Sequence, residues 1–98
     1  MNTYIILRRS GWASRDDLEK AASRSARVGQ AEMPDRVRWI RSYITQEPDN
    51  RLGTVCVYQA TNPAALREHA QRADLPCDVI VPVGDLVVVN EDPVKTAA

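Results

Sequence analysis

The cleanest alternation of apolar and polar positions in the chain falls at Arg36–Thr45, Arg-Val-Arg-Trp-Ile-Arg-Ser-Tyr-Ile-Thr. A strand sends alternate residues to opposite faces of its sheet. One set is Val37, Trp39, Arg41 and Tyr43; the other is Arg38, Ile40, Ser42 and Ile44. Ile40 and Ile44 suit a core. Two aromatics flanking an arginine are odd on a solvated face, so that face needs a cover. The same pattern predicts strands at Thr3–Leu7 and Thr54–Ala60, both rich in β-branched and aromatic residues. In the latter, Val55 and Val57 share one face, and Thr54, Cys56, Tyr58 and Ala60 share the other. Pairing like with like places Trp39, Tyr43 and Tyr58 on one side of the sheet.

Between these strands the period changes to that of a helix. Leu18, Ala21, Ala22, Ala26 and Val28 predict a helix over Arg15–Gly29, with Ser14 as its N-cap and Asp16 and Asp17 in its first turn. Asn62-Pro63 starts a second helix, an Asn cap followed by proline at the first helical position, running to Ala73 and stopping before Pro76. Leu66, Ala70 and Ala73 mark its core side, with His69 at the margin. Pro48-Asp49-Asn50 and Gly53 make Gln46–Gly53 a hairpin loop. Pro76–Ile80 is read as a further helical turn. A last strand is expected over Pro82–Asn90, bulged near Gly84 and centred on Val87, Val88 and Val89; a hairpin turn at Gly84-Asp85 is the alternative.

The resulting order, β-α-β-β-α-β, predicts a ferredoxin-like α+β fold, a four-stranded antiparallel sheet with two helices on one face. Its other face is left open, and a two-fold dimer is the common cover. Residues 1–93 are expected to form a single domain and residues 94–98 a flexible tail.

Composition narrows the function classes. The chain has 98 residues, enough for one core without staples. Its 13 Lys+Arg balance 13 Asp+Glu, which argues against a nucleic-acid or anionic-membrane partner. Arginine far outnumbers lysine, which suits planar anion recognition as well as surface ion pairs. The apolar N-terminal run is too short for a signal peptide or a membrane span, and Cys56 and Cys77 lack metal-ligand spacing, so a reduced cytoplasmic setting is expected.

Candidate chemistry follows from the strands. Arg8, Arg9 and Arg41, with Trp12, Trp39, Tyr43 and Tyr58, could line a ligand pocket on the open face. The same residues suit a dimer interface better still, and a dimer of open sheets could also enclose such a pocket. His69 could be a general base or a ligand contact, or a helix histidine bonded to backbone. Glu68 beside it points elsewhere on the helix and is not its partner. Cys56, mid-strand between valines, reads as a buried thiol. No catalytic residue and no metal ligand is assigned.

Three segments together resemble a known family: Trp39-Ile40-Arg41-Ser42-Tyr43-Ile44-Thr45, Cys56-Val57-Tyr58-Gln59-Ala60 and Arg67-Glu68-His69-Ala70. They are similar to small bacterial proteins of unknown function that include nickel-binding members. The resemblance implies the ferredoxin-like fold, a homodimer and nickel as a possible metal. Adjacent histidines close the first strand in the nickel-binding branch; here that stretch is Leu7-Arg8-Arg9-Ser10-Gly11-Trp12, without such a donor. The combined expectation is a small dimeric binding protein for a small ligand or a transition metal such as nickel, otherwise without a cofactor. The alternative is a cofactor-independent enzyme, monooxygenase- or isomerase-like, using His69, Arg41 and a tyrosine.

Overall fold

The computed structural model describes residues 1–93 of the chain. It contains β1 (Asn2–Trp12), α1 (Arg15–Arg27), a π-helical turn (Val28–Glu32), β2 (Val37–Gln46), β3 (Leu52–Ala60), α2 (Pro63–Ala73) and β4 (Val79–Pro82). The strands form one antiparallel sheet in the order β2-β3-β1-β4, the expected ferredoxin-like arrangement.

Both helices begin where local chemistry puts them. Ser14 Oγ accepts from the Asp17 amide at 3.2 Å, and Asn62 Oδ1 accepts from the Ala65 amide at 2.8 Å. α2 stops at Asp74, whose φ of 55° lies in the left-handed region, and the Leu75 amide closes back onto the Ala70 carbonyl. α1 does not stop at Gly29 but widens into the π turn, ending where the Met33 amide donates to the Val28 carbonyl. Arg24 ties the helices together, its Nε donating to the Ala73 carbonyl at 2.8 Å at the end of α2.

Two irregularities set which residues meet the helices. β2 slips register between Trp39 and Arg41: Trp39 pairs with Tyr58, but Arg41 pairs with Val57. Ile40 is the extra residue of a bulge, so the two-residue period changes phase there. Val37, Trp39, Ser42 and Ile44 thus share the helix side, while Arg41 and Tyr43 fall on the open side. The shared face expected for Trp39, Arg41, Tyr43 and Tyr58 does not form. In β1, Arg9, Ser10 and Gly11 bulge out between the pairs Arg8↔Thr54 and Trp12↔Leu52, opposite Gly53 alone. Ser10 takes a φ of 52°, and a Cβ on Gly53 would lie 2.6 Å from the Arg8 carbonyl oxygen. Only glycine fits that crossing.

The core lies between sheet and helices, built on Tyr4, Ile6, Val37, Cys56, Tyr58 and Leu66. Beyond β4 the structure departs from the sequence expectation. The strand occupies Val79–Pro82, where Ile5 and Leu7 pair with Val81 and Val79, and not Pro82–Asn90; nor is Pro76–Ile80 a helical turn. Val87–Val89 carry no regular structure and are exposed. The segment after Pro82 is held by the Val83 amide on the Thr3 carbonyl at one end and by Asp92 on Arg41, 3.2 Å, at the other. The expected tail, residues 94–98, lies outside the described residues.

Candidate functional site

The inward face of β1 reads Tyr4, Ile6, Arg8, and the third position puts a guanidinium inside the protein. Arg8 is 1% exposed. Its Nε donates to the Pro76 carbonyl at 2.6 Å and its Nη1 reaches Cys56 Sγ at 3.2 Å. Its central carbon lies 5.7 Å from the centre of the Tyr58 ring. Among the described residues Nη2 has no partner, and no ion pair includes this arginine. A buried charge without a counter-charge is costly.

Tyr58 is the hub around it. The ring stacks on Trp39 at 6.1 Å between centroids and meets His69 edge-on at 5.5 Å. Its hydroxyl shares a 3.0 Å hydrogen bond with Ser25 Oγ from α1. Burial pushes its phenol up from the ordinary value. His69 is fully buried, and its Nε2 lies 3.0 Å from the Ser25 carbonyl oxygen. That oxygen only accepts, so Nε2 carries the proton and Nδ1, which has no partner, does not. Burial lowers the His69 pKa and favours the neutral ring.

Beside this cluster α1 leaves the far half of β2 uncovered. Ser42 is only half-buried and Ile44 is exposed although both point to the helix side. The gap is a cleft of about 240 Å³, walled by Trp12, Leu18, Ala22 and Trp39, with Arg8 and Thr54 among its polar lining. Thr54 is buried, and its Oγ1 also lacks a partner. The mouth carries Arg15 and Glu19, which pair with each other at 3.3 Å. The volume falls just under the roughly 300–1,000 Å³ of drug-sized sites, so the fitting occupant is smaller than those.

The residues singled out from sequence therefore separate. Arg8, Trp12, Trp39 and Tyr58 come together, but on the helix side of the sheet and not on its open face, while Arg9 is exposed and pairs with Glu47. Arg41 and Tyr43 lie on the open face, Arg41 beside a shallow groove and bonded to Asp92. His69 touches the inner side of Tyr58 and does not line the cleft. The catalytic set of His69, Arg41 and a tyrosine is not assembled, since the sheet separates Arg41 from His69. Glu68 bonds bidentately to Arg36 at 3.0 and 2.7 Å and pairs with Arg72 at 2.7 Å; the hydrogen bond from Arg36 holds its carboxyl below the usual range. Sequence reasoning did not single out Leu18, Ser25 or Thr54. The available signal was the alternation Tyr4-Ile6-Arg8, which carries an arginine inward once β1 runs past Leu7.

The fold and cleft define a small ferredoxin-like α+β protein with a cleft between its first helix and its sheet. A family model described as nickel responsive protein SCO4226-like matches residues 4–83, and the chain belongs to that family. Among solved structures, the crystal structure of SCO4226 from Streptomyces coelicolor A3(2) is similar at a TM-score of 0.67 and 15% identity, covering 87% of this chain and 99% of that one. At that identity the likeness shows the fold. No curated protein matches the chain.

The donor set of this chain does not fit a nickel centre. Nickel favours several nitrogen donors, and His69 is the sole histidine. Its ring is buried against Tyr58 and Ser25. Among the described residues no three His, Cys, Asp or Glu side chains converge on one point. Both cysteines are free, Cys56 against Arg8 and Cys77 with its thiol pushed up by burial. No helix among the described residues is long and apolar enough to cross a membrane.

Proposed function

We propose that the protein is a small-molecule-binding module whose site is the cleft between α1 and the helix-side face of β2 and β3. One observation carries this reading: two tryptophans and an uncovered stretch of β2 enclose an apolar cleft of about 240 Å³ around buried polar groups. The Trp39 wall is held in place by its indole N–H donating to Ser42 Oγ at 2.7 Å across the bulge. An apolar wall fixed by a hydrogen bond suits recognition of a planar or branched apolar group.

The same reading makes the protein a homodimer through the open face. Tyr43, Val79 and Val81 are 44, 44 and 42% exposed there, and a second copy of the sheet is the cover that leaves the cleft free. The family description concerns nickel response; in this chain the side chains support the organic ligand better than the metal.

Native mass spectrometry of protein purified without a histidine tag tests mass and retained ligand together. A retained organic molecule, or quenching of Trp12 and Trp39 fluorescence by millimolar 2-phenylacetamide, is expected. Ala22→Trp, which fills the cleft from α1, should abolish the quenching. A bare monomer whose tryptophans ignore every small apolar probe would end this reading.

A further inference from the structure

We infer that the cleft selects an anion: a small aromatic or branched aliphatic monocarboxylate, with its carboxylate at Arg8 and Thr54 and its apolar body between Trp12 and Trp39. The inference rests on the cleft being a binding site and adds the charge and class of what enters it.

Three observations carry it. The guanidinium of Arg8 is 1% exposed, lines the cleft and bonds to one carbonyl, one sulfur and the face of one ring, none of them a carboxylate. Among the described residues, the arginines that do have a carboxylate partner keep their own side chains exposed, as Arg9 does with Glu47, Arg36 with Glu68 and Arg72 with Glu32. The two side-chain atoms of the cleft lining that are buried and unpartnered are Arg8 Nη2, a donor, and Thr54 Oγ1, which carries a rotatable O–H. A carboxylate has two acceptor oxygens and no donor, so it satisfies both at once. An amine would face a cation, and a neutral amide would satisfy the hydroxyl while leaving the charge uncompensated.

The rest of the lining sets the class. A phosphate or dicarboxylate carries more charge than one guanidinium balances, and the second cation at the cleft, Arg15, is already bonded to Glu19. The walls that remain are Trp12, Leu18, Ala22, Trp39, Ile44 and Leu75, which solvate hydrocarbon. Because Nη2 and Thr54 Oγ1 are both shut off from water, the carboxylate reaches them as the guanidinium and the threonine side chain turn into the cleft that both residues line.

The test uses the full chain and a matched pair of probes, phenylacetate and its neutral isostere 2-phenylacetamide, titrated against tryptophan fluorescence and by calorimetry. A charge-assisted seat should favour the acid by roughly ten- to a hundredfold. In Arg8→Met, which keeps the stem and removes the charge, that preference should vanish while the amide still binds; Arg8→Lys should restore part of it. Equal binding of acid and amide by the unaltered protein overturns the anion inference and leaves the cleft standing. If neither probe binds, the cleft reading itself fails. The comparison within the unaltered protein decides the matter even if Arg8→Met does not fold.

Discussion

The two faces of the sheet are built from opposite materials. The helix-side face carries Tyr4, Ile6, Arg8, Cys56 and Tyr58, all nearly inaccessible, and Tyr58, Ser25 and His69 join polar atoms across three elements, β3, α1 and α2. The open face carries Ile5, Leu7, Val55 and Val57 flanked by Tyr43, Val79 and Val81, and its arginines are bonded at the surface, Arg41 to Asp92 and Arg38 to Gln59. The aliphatic middle of that face, Ile5, Leu7, Val55 and Val57, can be covered by anything apolar of matching shape. A buried polar network specifies what it accepts, because each unsatisfied atom costs free energy. On the proposed function, specific chemistry belongs to the crowded face and association to the plain one.

A pair of tyrosine substitutions tests this contrast most directly. Tyr58→Ala removes the ring that Trp39, Arg8 and His69 all contact, and should destabilise by about 3–5 kcal/mol in urea unfolding. Tyr43→Ala, on the open face, should cost within about 0.5 kcal/mol at concentrations where the chain is monomeric. Equal costs would mean that the two faces are not energetically distinct. Next in size is Gly53→Ala. The added Cβ would sit 2.6 Å from a backbone oxygen of Arg8 and 2.8 Å from Thr45 Oγ1. Backbone yields little, so about 1–3 kcal/mol is expected. Since Gly53 faces the β1 bulge beside Arg8, the same substitution should also weaken quenching of Trp12 by phenylacetate.

How far these features were readable in the sequence depends on how local their causes are. Both N-caps, the limits of α2 and the order of elements follow from Ser14, Asn62-Pro63 and Pro76, whose effects act within a turn or two. The inward placement of Trp39 does not. It depends on a bulge at Ile40, where neither glycine nor proline marks the break, and one extra residue reverses every later assignment to a face. That reversal leaves Arg41 and Tyr43 on the open face and separates them from Trp39 and Tyr58 on the helix side. β4 was misplaced for a related reason. Val87–Val89 have the higher strand propensity, but Val79–Pro82 are the residues that reach β1, and pairing outweighs propensity. Arg8 was noticed as an arginine, but its burial became apparent only with a strand reaching Trp12.

Smaller effects come from titration, and they again separate the faces. His69 binds its proton less readily in the folded protein than in the unfolded chain, because burial lowers its pKa below the ordinary 6.5. Between those two pKa values the unfolded state holds more protons, so stability is complete above pH 6.5 and declines as the pH falls below it. His69→Gln keeps a donor for the Ser25 carbonyl and removes the titration. Its thermal midpoint should therefore change less between pH 7 and pH 5 than that of the unaltered protein. Glu47 acts lower on the scale. The hydrogen bond from Arg9 holds its carboxyl below the ordinary 4.5, so its contribution is present above that value and is lost as the pH falls through the folded-state pKa. A midpoint that rises on acidification from pH 7 to 5 would contradict the neutral, buried assignment of His69.

The smallest effect is expected where the segment after β4 crosses the open face. Arg41 and Asp92 are about half exposed, at 47 and 52%, and such a pair contributes at most about 1 kcal/mol. Asp92→Asn should leave global unfolding nearly unchanged. Its consequence is local, because residues 83–92 have few other anchors: the next is the Val83 amide on Thr3, at the opposite end. Between them Leu86, Val87, Val88 and Val89 are 69, 85, 67 and 84% exposed. Releasing Asp92 should therefore speed amide exchange and proteolytic cleavage at 86–89 without changing exchange in β1 or β3, and high salt should reproduce the effect in the unaltered protein. Release also uncovers more of the aliphatic face, so the fraction of dimer measured by light scattering should rise in the same variant. A fall in dimer on losing this ion pair would instead make the segment part of the contact between copies, and the open face would then be joined through its cover and not beneath it.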